Sequence, residues 1–157
     1  MSAALVEYPK TIVLKDGAHV VLRPLAYGER EALSALVARV PPADRHGVDV
    51  DAADPVVLAW DGERLVGAIG ITRRLAEVAE LGLVVDPVYR GRRLGTWMLL
   101  DAVHLAAGLG YTCLDARVGA GDDAYRAALR RLDFAGDAAA SPAGIMRKTL
   151  HAAWTDF

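Results

Sequence analysis

One junction constrains this chain more than any other part. Leu81-Gly82-Leu83-Val84-Val85 is an apolar run, Asp86-Pro87 turns the chain, and Arg90-Gly91-Arg92-Arg93-Leu94-Gly95 follows as a short basic loop. Beyond it Leu94, Met98, Ala102, Leu105 and Leu109 recur at helical spacing. The order is strand, glycine-containing loop, helix. A helix start presents N–H groups with no intrahelical acceptor and the positive end of the helix dipole. An anion fits there, and phosphate is the usual one. Gly91 and Gly95 let the backbone approach a ligand closely, while Arg90, Arg92 and Arg93 add charge and forked donors. The junction reads as a cradle for a pyrophosphate; the plainer alternative is a solvated basic turn. No Gly-Lys-Ser/Thr follows, which excludes Walker A, and the Gly-x-Gly-x-x-Gly dinucleotide fingerprint is missing.

Punctuation and period lay out the rest. Thr11–Leu14 and Ala18–Arg23 flank Asp16-Gly17, a hairpin signal. Tyr27 to Val40 carries Leu33, Leu36, Val37 and Val40 at helical spacing, and Pro41-Pro42 stops it. Residues 43 to 54 form an acidic, alanine-rich connector without a clear period, with room for a short helix. Pro55–Trp60 and Arg64–Thr72 surround Asp61-Gly62 as a second hairpin. Leu75–Val85 is the strand that feeds the loop. After the helix that follows the loop, a strand is expected at 111–118, a helix at about 122–132, and a last strand near Ile145–Leu150. The pattern is mixed α/β (α+β), a mostly antiparallel sheet with a central βαβ crossover and flanking helices.

Val84-Val85-Asp86-Pro87-Val88-Tyr89-Arg90-Gly91-Arg92-Arg93-Leu94-Gly95 resembles motif A of the GNAT superfamily of N-acyltransferases, Arg/Gln-x-x-Gly-x-Gly/Ala after a strand. Arg90 and Gly95 match its ends, and Arg93 stands where the middle glycine usually sits. A side chain there either crowds the pyrophosphate or points outward to the 3′-phosphate of coenzyme A. Leu14 to Leu25 is similar to the opening strand of bacterial protein-lysine acetyltransferase domains. Tyr111 to Val118 resembles the family's fifth strand. Asp122 to Phe134 resembles its last helix, with Leu132-Asp133-Phe134 in place of Leu-Gly-Phe. The resemblance runs from about residue 11 to residue 151 and implies one GNAT-like domain over residues 1–157.

That resemblance implies acetyl-CoA as cosubstrate and no metal. Arg90, Gly91, Arg92, Arg93, Leu94, Gly95 and Thr96 would hold the phosphates, and backbone groups of Val84 and Val85 the pantetheine arm, threaded between two splayed strands. A strand N–H would face the thioester carbonyl, a donor whose loss costs roughly 3 kcal/mol in comparable sites. Lysine-type amines titrate at about 10, so a base helps the acceptor lose its proton. Glu80, in the apolar strand, is the candidate base; a structural ion pair with Arg73, Arg74 or Arg117 is the alternative. It shares a strand face with Val78, Gly82 and Val84, while Glu77 points the other way. The family's usual acid, a tyrosine five residues before the closing Phe, is Leu129 here. Tyr125, one turn earlier, is the substitute, with core packing as its alternative role.

Composition limits the partners. Of the 157 residues, 54% are hydrophobic, which excludes a disordered chain, and the net charge of −2 argues against a general nucleic-acid binder. The single cysteine, Cys113, forms no internal disulfide, fits a cytoplasmic location and is expected as core filler. The first residues lack the cationic start and apolar core of a signal peptide, and no uncharged apolar run reaches the roughly 18 residues of a membrane helix. His19, His46, His104 and His151 show no ligand spacing. Trp60 and Trp97 are expected in the packing, and Trp154 against an edge or an oligomer contact. Asp44, Asp49, Asp51 and Asp54 are a solvated connector or, as the resemblance implies, an acceptor-attracting loop. The expected partner is a small-molecule amine or a protein lysine, handled by a monomer or homodimer. Two other readings stay open: a non-catalytic coenzyme A-binding module, and a binder of another phosphate ligand.

Overall fold

The computed structural model describes residues 5, 7–47, 49–136 and 144–150. Among these, eight strands form one sheet and three helices pack on it. The strands are β1 (Lys10–Val13), β2 (His19–Pro24), β3 (Arg45–Gly47), β4 (Val56–Asp61), β5 (Arg64–Leu75), β6 (Val78–Val85), β7 (Cys113–Arg117) and β8 (Ile145–Thr149). The helices are α1 (Arg30–Arg39), α2 (Leu94–Gly108) and α3 (Asp123–Arg131). The sheet order is β1-β2-β4-β5-β6-β7-β8, with β3 added on β6. Every pairing is antiparallel except β6 with β7, the pair bridged by α2.

Both hairpins form where Asp16-Gly17 and Asp61-Gly62 put them, and Gly17 and Gly62 take the positive φ that such turns require. The strand expected over Leu75–Val85 is shorter. β5 runs on to Leu75, the chain turns at Ala76-Glu77, and β6 starts at Val78. A bulge between Arg73 and Leu75 absorbs the difference in register. The largest departure is the acidic connector. Its described residues form a 3₁₀ turn at Pro42–Asp44, strand β3, and a second 3₁₀ turn at Val50–Ala52.

The sheet carries a core on each face. On one face, Leu81 and Leu83 of β6 and Leu114 and Ala116 of β7 pack under Leu94, Met98, Leu99 and Ala102 of α2 and Tyr125 and Leu129 of α3. On the other, Leu33, Leu36 and Val40 of the α1 segment cover Leu58, Ala68 and Val84. β6 alternates between the two, as a period of two requires. Gly67 and Gly70 give helix and connector room: a Cβ at Gly67 would stand 2.8 Å from the Met98 sulfur, and one at Gly70 2.5 Å from the Ala53 Cβ. Trp60 is half-buried with the Arg23 guanidinium over its ring. Trp97, expected in the packing, is 45% exposed because it lies on the outer side of α2. Cys113, expected as core filler, is a free thiol at the start of β7 and only half-buried. His151 and Trp154 lie outside the described residues. Among the described residues no helix is long and apolar enough to cross a membrane.

The turn out of β6 is tied down by Asp86, which is 2% exposed. Its carboxylate accepts from the Val88 amide at 3.0 Å, from Arg39 Nε of α1 at 3.1 Å and from Arg64 Nη2 of β5 at 3.1 Å. Burial pulls this carboxyl up, but the Val88 amide and the two guanidiniums outweigh it and hold it below the usual range. A depressed native value adds stability above the unfolded value and loses it as pH falls through the folded one. Asp86→Ala should therefore lower the unfolding free energy at neutral pH by about 2 kcal/mol. In urea titrations the gap to the wild type should narrow once the pH falls below about 4.

Candidate active site

β6 and β7 start as parallel neighbours and then part. Their pairing covers only Val78, Ala79 and Glu80 against Cys113, Leu114 and Asp115. Beyond Glu80, β6 runs on toward the basic loop without β7. The loop begins with the Asp86-capped 3₁₀ turn Pro87–Tyr89. Gly91 follows at φ +75° and Arg93 at φ +68°, and α2 starts at Leu94. Arg93 caps the helix through its left-handed backbone and makes no side-chain cap. The position where the resembled motif has glycine thus keeps a glycine-like conformation, at a cost of about 1 kcal/mol for a side-chain-bearing residue.

The loop, α3 and the connector enclose a cleft of about 500 Å³. Leu83, Val85, Leu94 and Leu99 give it an apolar floor, and Arg90, Gly91, Arg93, Gly95 and Thr96 form one wall. Tyr125 and Asp122 of the α3 segment line it as well. The Arg93 side chain is exposed at the rim and has no ion-pair partner among the described residues. Gly95 leaves ordinary van der Waals room against Val85. Arg92 and Val84 are not part of the lining. Arg92 lies 4.7 Å over the Tyr89 ring and 3.3 Å from the Asp16 carboxylate. Val84 faces the α1 side.

Tyr125 is 6% exposed, and its hydroxyl has no hydrogen-bond partner among the described residues. Burial pushes its pKa up, and the nearby carboxylates of Asp122 and Glu80 push it the same way, so the phenol keeps its proton. His46 of β3 stacks on it, rings 4.1 Å apart and 15° from parallel, with Nδ1 3.6 Å from Asp122 Oδ2. Nδ1 makes no hydrogen bond at that distance, and burial lowers the histidine pKa, leaving the ring neutral.

Glu80, 4% exposed, lies on the opposite face of β6 from Leu81 and Leu83. Arg117 Nη2 donates to its Oε1 at 3.3 Å, and Arg74 Nη1 stands 3.8 Å from the same oxygen. Neither contact involves Oε2. The neighbouring buried Asp115 takes the rest of this network, from Arg147 Nε at 2.6 Å and Arg74 Nη1 at 3.0 Å. The ion pair weighed for Glu80 from the sequence is therefore present, with Arg74 and Arg117 but not Arg73.

The connector carboxylates are distributed, not gathered. Asp44 pairs with Arg90 of the loop. Asp49 accepts from the Asp51 amide, and Asp51 meets Arg30 and Ser34 of α1 through its carbonyl and carboxylate. His46 was passed over in the sequence because no spacing singles it out; only the unforeseen strand β3 carries it into the cleft. Among the described residues no group of three or more His, Cys, Asp or Glu is placed to hold a metal ion.

The sequence profile of the acetyltransferase (GNAT) family matches residues 28–134. The chain belongs to this family. The fold is shared with the GNAT domain of PAT from S. lividans at a TM-score of 0.72 and 16% identity, covering 90% of this chain and 97% of that one. A cAMP-binding acyltransferase from Mycobacterium smegmatis matches at a TM-score of 0.65 and 19% identity over 96% of this chain, which spans 50% of that protein. yncA from Salmonella typhimurium, solved with acetyl-CoA, matches at a TM-score of 0.66 and 16% identity, covering 84% and 94% of the two chains. No curated protein matches. The GNAT fold implies acyl transfer from acyl-CoA.

An unpaired hydroxyl in a packed site contributes no hydrogen bond to stability, so removing it is free or favourable. Tyr125→Phe should leave the melting temperature of this GNAT domain unchanged or slightly higher in calorimetry. A clear fall would mean that the hydroxyl has a partner in the folded protein.

Proposed function

We propose that this GNAT protein is an acetyl-CoA-dependent N-acetyltransferase of one domain, acting on a primary amine of a small molecule or of a protein lysine. The observation that carries the reading is a buried Tyr125 hydroxyl, without a partner among the described residues, in the same cleft as a helix N-terminus flanked by Arg90 and Arg93. A diphosphate suits the amides of Leu94, Gly95 and Thr96, which have no acceptor within the first turn of α2. Arg90 supplies charge directly, and Arg93 reaches from the rim. Arg92 acts at one remove, bracing Tyr89 beneath the loop. The pantetheine amides belong on the outer edge of β6 near Val84 and Val85, and the apolar floor suits the arm. This puts the sulfur near Tyr125.

The reaction follows without a covalent enzyme intermediate. The amine nitrogen attacks the thioester carbonyl, a C–N bond forms, the C–S bond breaks, and the departing thiolate takes a proton from Tyr125 or from water; burial keeps the phenol protonated until then, though it also makes it a weak acid. The acceptor's proton leaves toward Glu80 on the far face of β6. Oε1 is held by two arginines, so Oε2 takes the proton, directly or through one water. Cys113 as a free thiol is in keeping with a cytoplasmic setting.

The second reading, a non-catalytic coenzyme A-binding module, draws on the same arginine pair, which serves a structural Glu80 equally well. Thiol release from acetyl-CoA across a panel of amines separates the two. Under the transferase reading, Glu80→Gln lowers kcat near pH 7 by about a hundredfold, the lower end for acid–base groups, with acetyl-CoA affinity within about twofold. Tyr125→Phe lowers kcat in the same assay. Turnover equal to wild type in Glu80→Gln would remove the base assignment, and no thiol release with any amine would favour the binding module.

A further inference from the structure

The edge of β6 that β7 abandons does not stay bare. Arg45, His46 and Gly47 pair with Val84, Leu83 and Gly82 along it. Asp44, one residue earlier, puts its carboxylate on Arg90 of the phosphate loop, and His46 lays its ring on Tyr125. Each feature of the proposed donor site thus has a counterpart from one short segment. A carboxylate stands at the loop, a peptide edge runs along the strand, and an imidazole lies flat over the Tyr125 ring.

We propose that residues Pro42–Gly47 are a built-in occupant of the donor cleft, and that acyl-CoA binds only when this segment leaves β6. The inference rests on the donor-site reading given above. Unpaired strand groups need partners; β3 supplies them before the donor arrives, and the pantetheine amides supply them afterwards. The two cannot use the edge together.

The segment is held lightly. β3 has three residues, of which only His46 is partly buried, and none of them adds to either hydrophobic core. The Asp44–Arg90 pair joins half-buried and half-exposed side chains, a setting in which ion pairs contribute little. The seated segment also leaves His46 Nδ1 and the Tyr125 hydroxyl buried without partners, which opposes seating. Short, polar, backbone-held elements of this kind belong to the low-stability end of a fold. Gly47 is the point on which seating turns. It has φ +77°, and a Cβ there would stand 2.1 Å from the Leu81 carbonyl oxygen. No side chain fits at this position while β3 is docked.

The test measures acetyl-CoA binding by calorimetry on the wild type, Gly47→Ala and Asp44→Asn, with hydrogen exchange on the wild type. When a competing state is removed, apparent affinity rises by the inverse of the competent fraction. Gly47→Ala should bind about tenfold more tightly than wild type. Asp44→Asn should bind more tightly as well, and it keeps the test decisive if Gly47→Ala fails to fold. Saturating acetyl-CoA should speed amide exchange in residues 43–47 of the wild type. Equal affinities in all three proteins, or amides of 43–47 still protected in the complex, would overturn the occupant while leaving the donor site intact. No acetyl-CoA binding by the wild type or either variant would overturn the donor site itself, and the occupant with it.

Discussion

Backbone hydrogen bonding along β6 governs what this fold can do. A strand inside a sheet has two edges to satisfy, and β5 serves one of them over its whole length. On the other side β7 serves only Val78 to Glu80 before it turns away toward β8. The remaining residues of β6 lie under α2 and α3, where water does not readily compensate them. The gap is therefore a demand for an extended partner with amide groups, made by the same parallel crossover that builds the phosphate loop. The β6–α2–β7 unit creates both at once: the helix start proposed to hold the phosphates and, along the preceding strand, the edge proposed to take the amide-bearing arm. A strand of the same chain and the arm of an acyl carrier are two answers to one demand.

The basic residues of the loop divide their work by geometry. Gly91 and Arg93 both take left-handed backbone, and this reverses the chain fast enough for α2 to begin at Leu94. That sharp turn throws Arg90 and Arg93 to the cleft side and Arg92 to the other, where Tyr89 and Asp16 receive it. Tyr89 in turn reaches the Asp61 carboxylate, and Asp86 pins the preceding turn to α1 and β5. The loop is positioned by three carboxylates outside the cleft, so it does not need a ligand to hold its shape.

Much of this was legible in the sequence because it is written in short-range chemistry. Asp-Gly turns, Pro41-Pro42, and the spacing from Leu94 to Leu105 locate the hairpins, the end of α1 and the buried face of α2 without reference to anything distant. Glu80 and Tyr125 were singled out by the family resemblance, with strand alternation and helical spacing giving only the faces on which they lie. What could not be read is the connector. Arg45-His46-Gly47 has no alternation of apolar residues and no β-branched side chain, so nothing local marks it as a strand. It is a strand only because β6 offers an open edge, a condition set some 35 residues later in the chain. His46 was invisible for the same reason. Similarly, which of three consecutive arginines faces a cleft depends on the sign of φ at Arg93, and composition does not carry that sign.

The two faces of β6 also decide how charge is handled. On the α2–α3 face the Tyr125 hydroxyl is neutral, raised in pKa by burial and by two carboxylates, and faces apolar floor residues. On the α1 face Glu80 and Asp115 lie side by side in register, buried, and three guanidiniums cover them from the exposed side. Buried carboxylates need such partners, since an uncompensated charge there costs several kcal/mol or more. The partners do not use Glu80 evenly, however: Arg74 and Arg117 both approach Oε1. A carboxylate with one oxygen fixed and one left over is oriented without being saturated, because each oxygen keeps its own lone pairs. The arrangement separates the two tasks of a buried base. Arginine contacts on Oε1 hold the side chain in place through the strand network, and Oε2 stays available for a proton. Under the proposed reaction, the amine that gives up that proton would lie on the Glu80 side of β6, and Tyr125, the group proposed to protonate the departing sulfur, on the other.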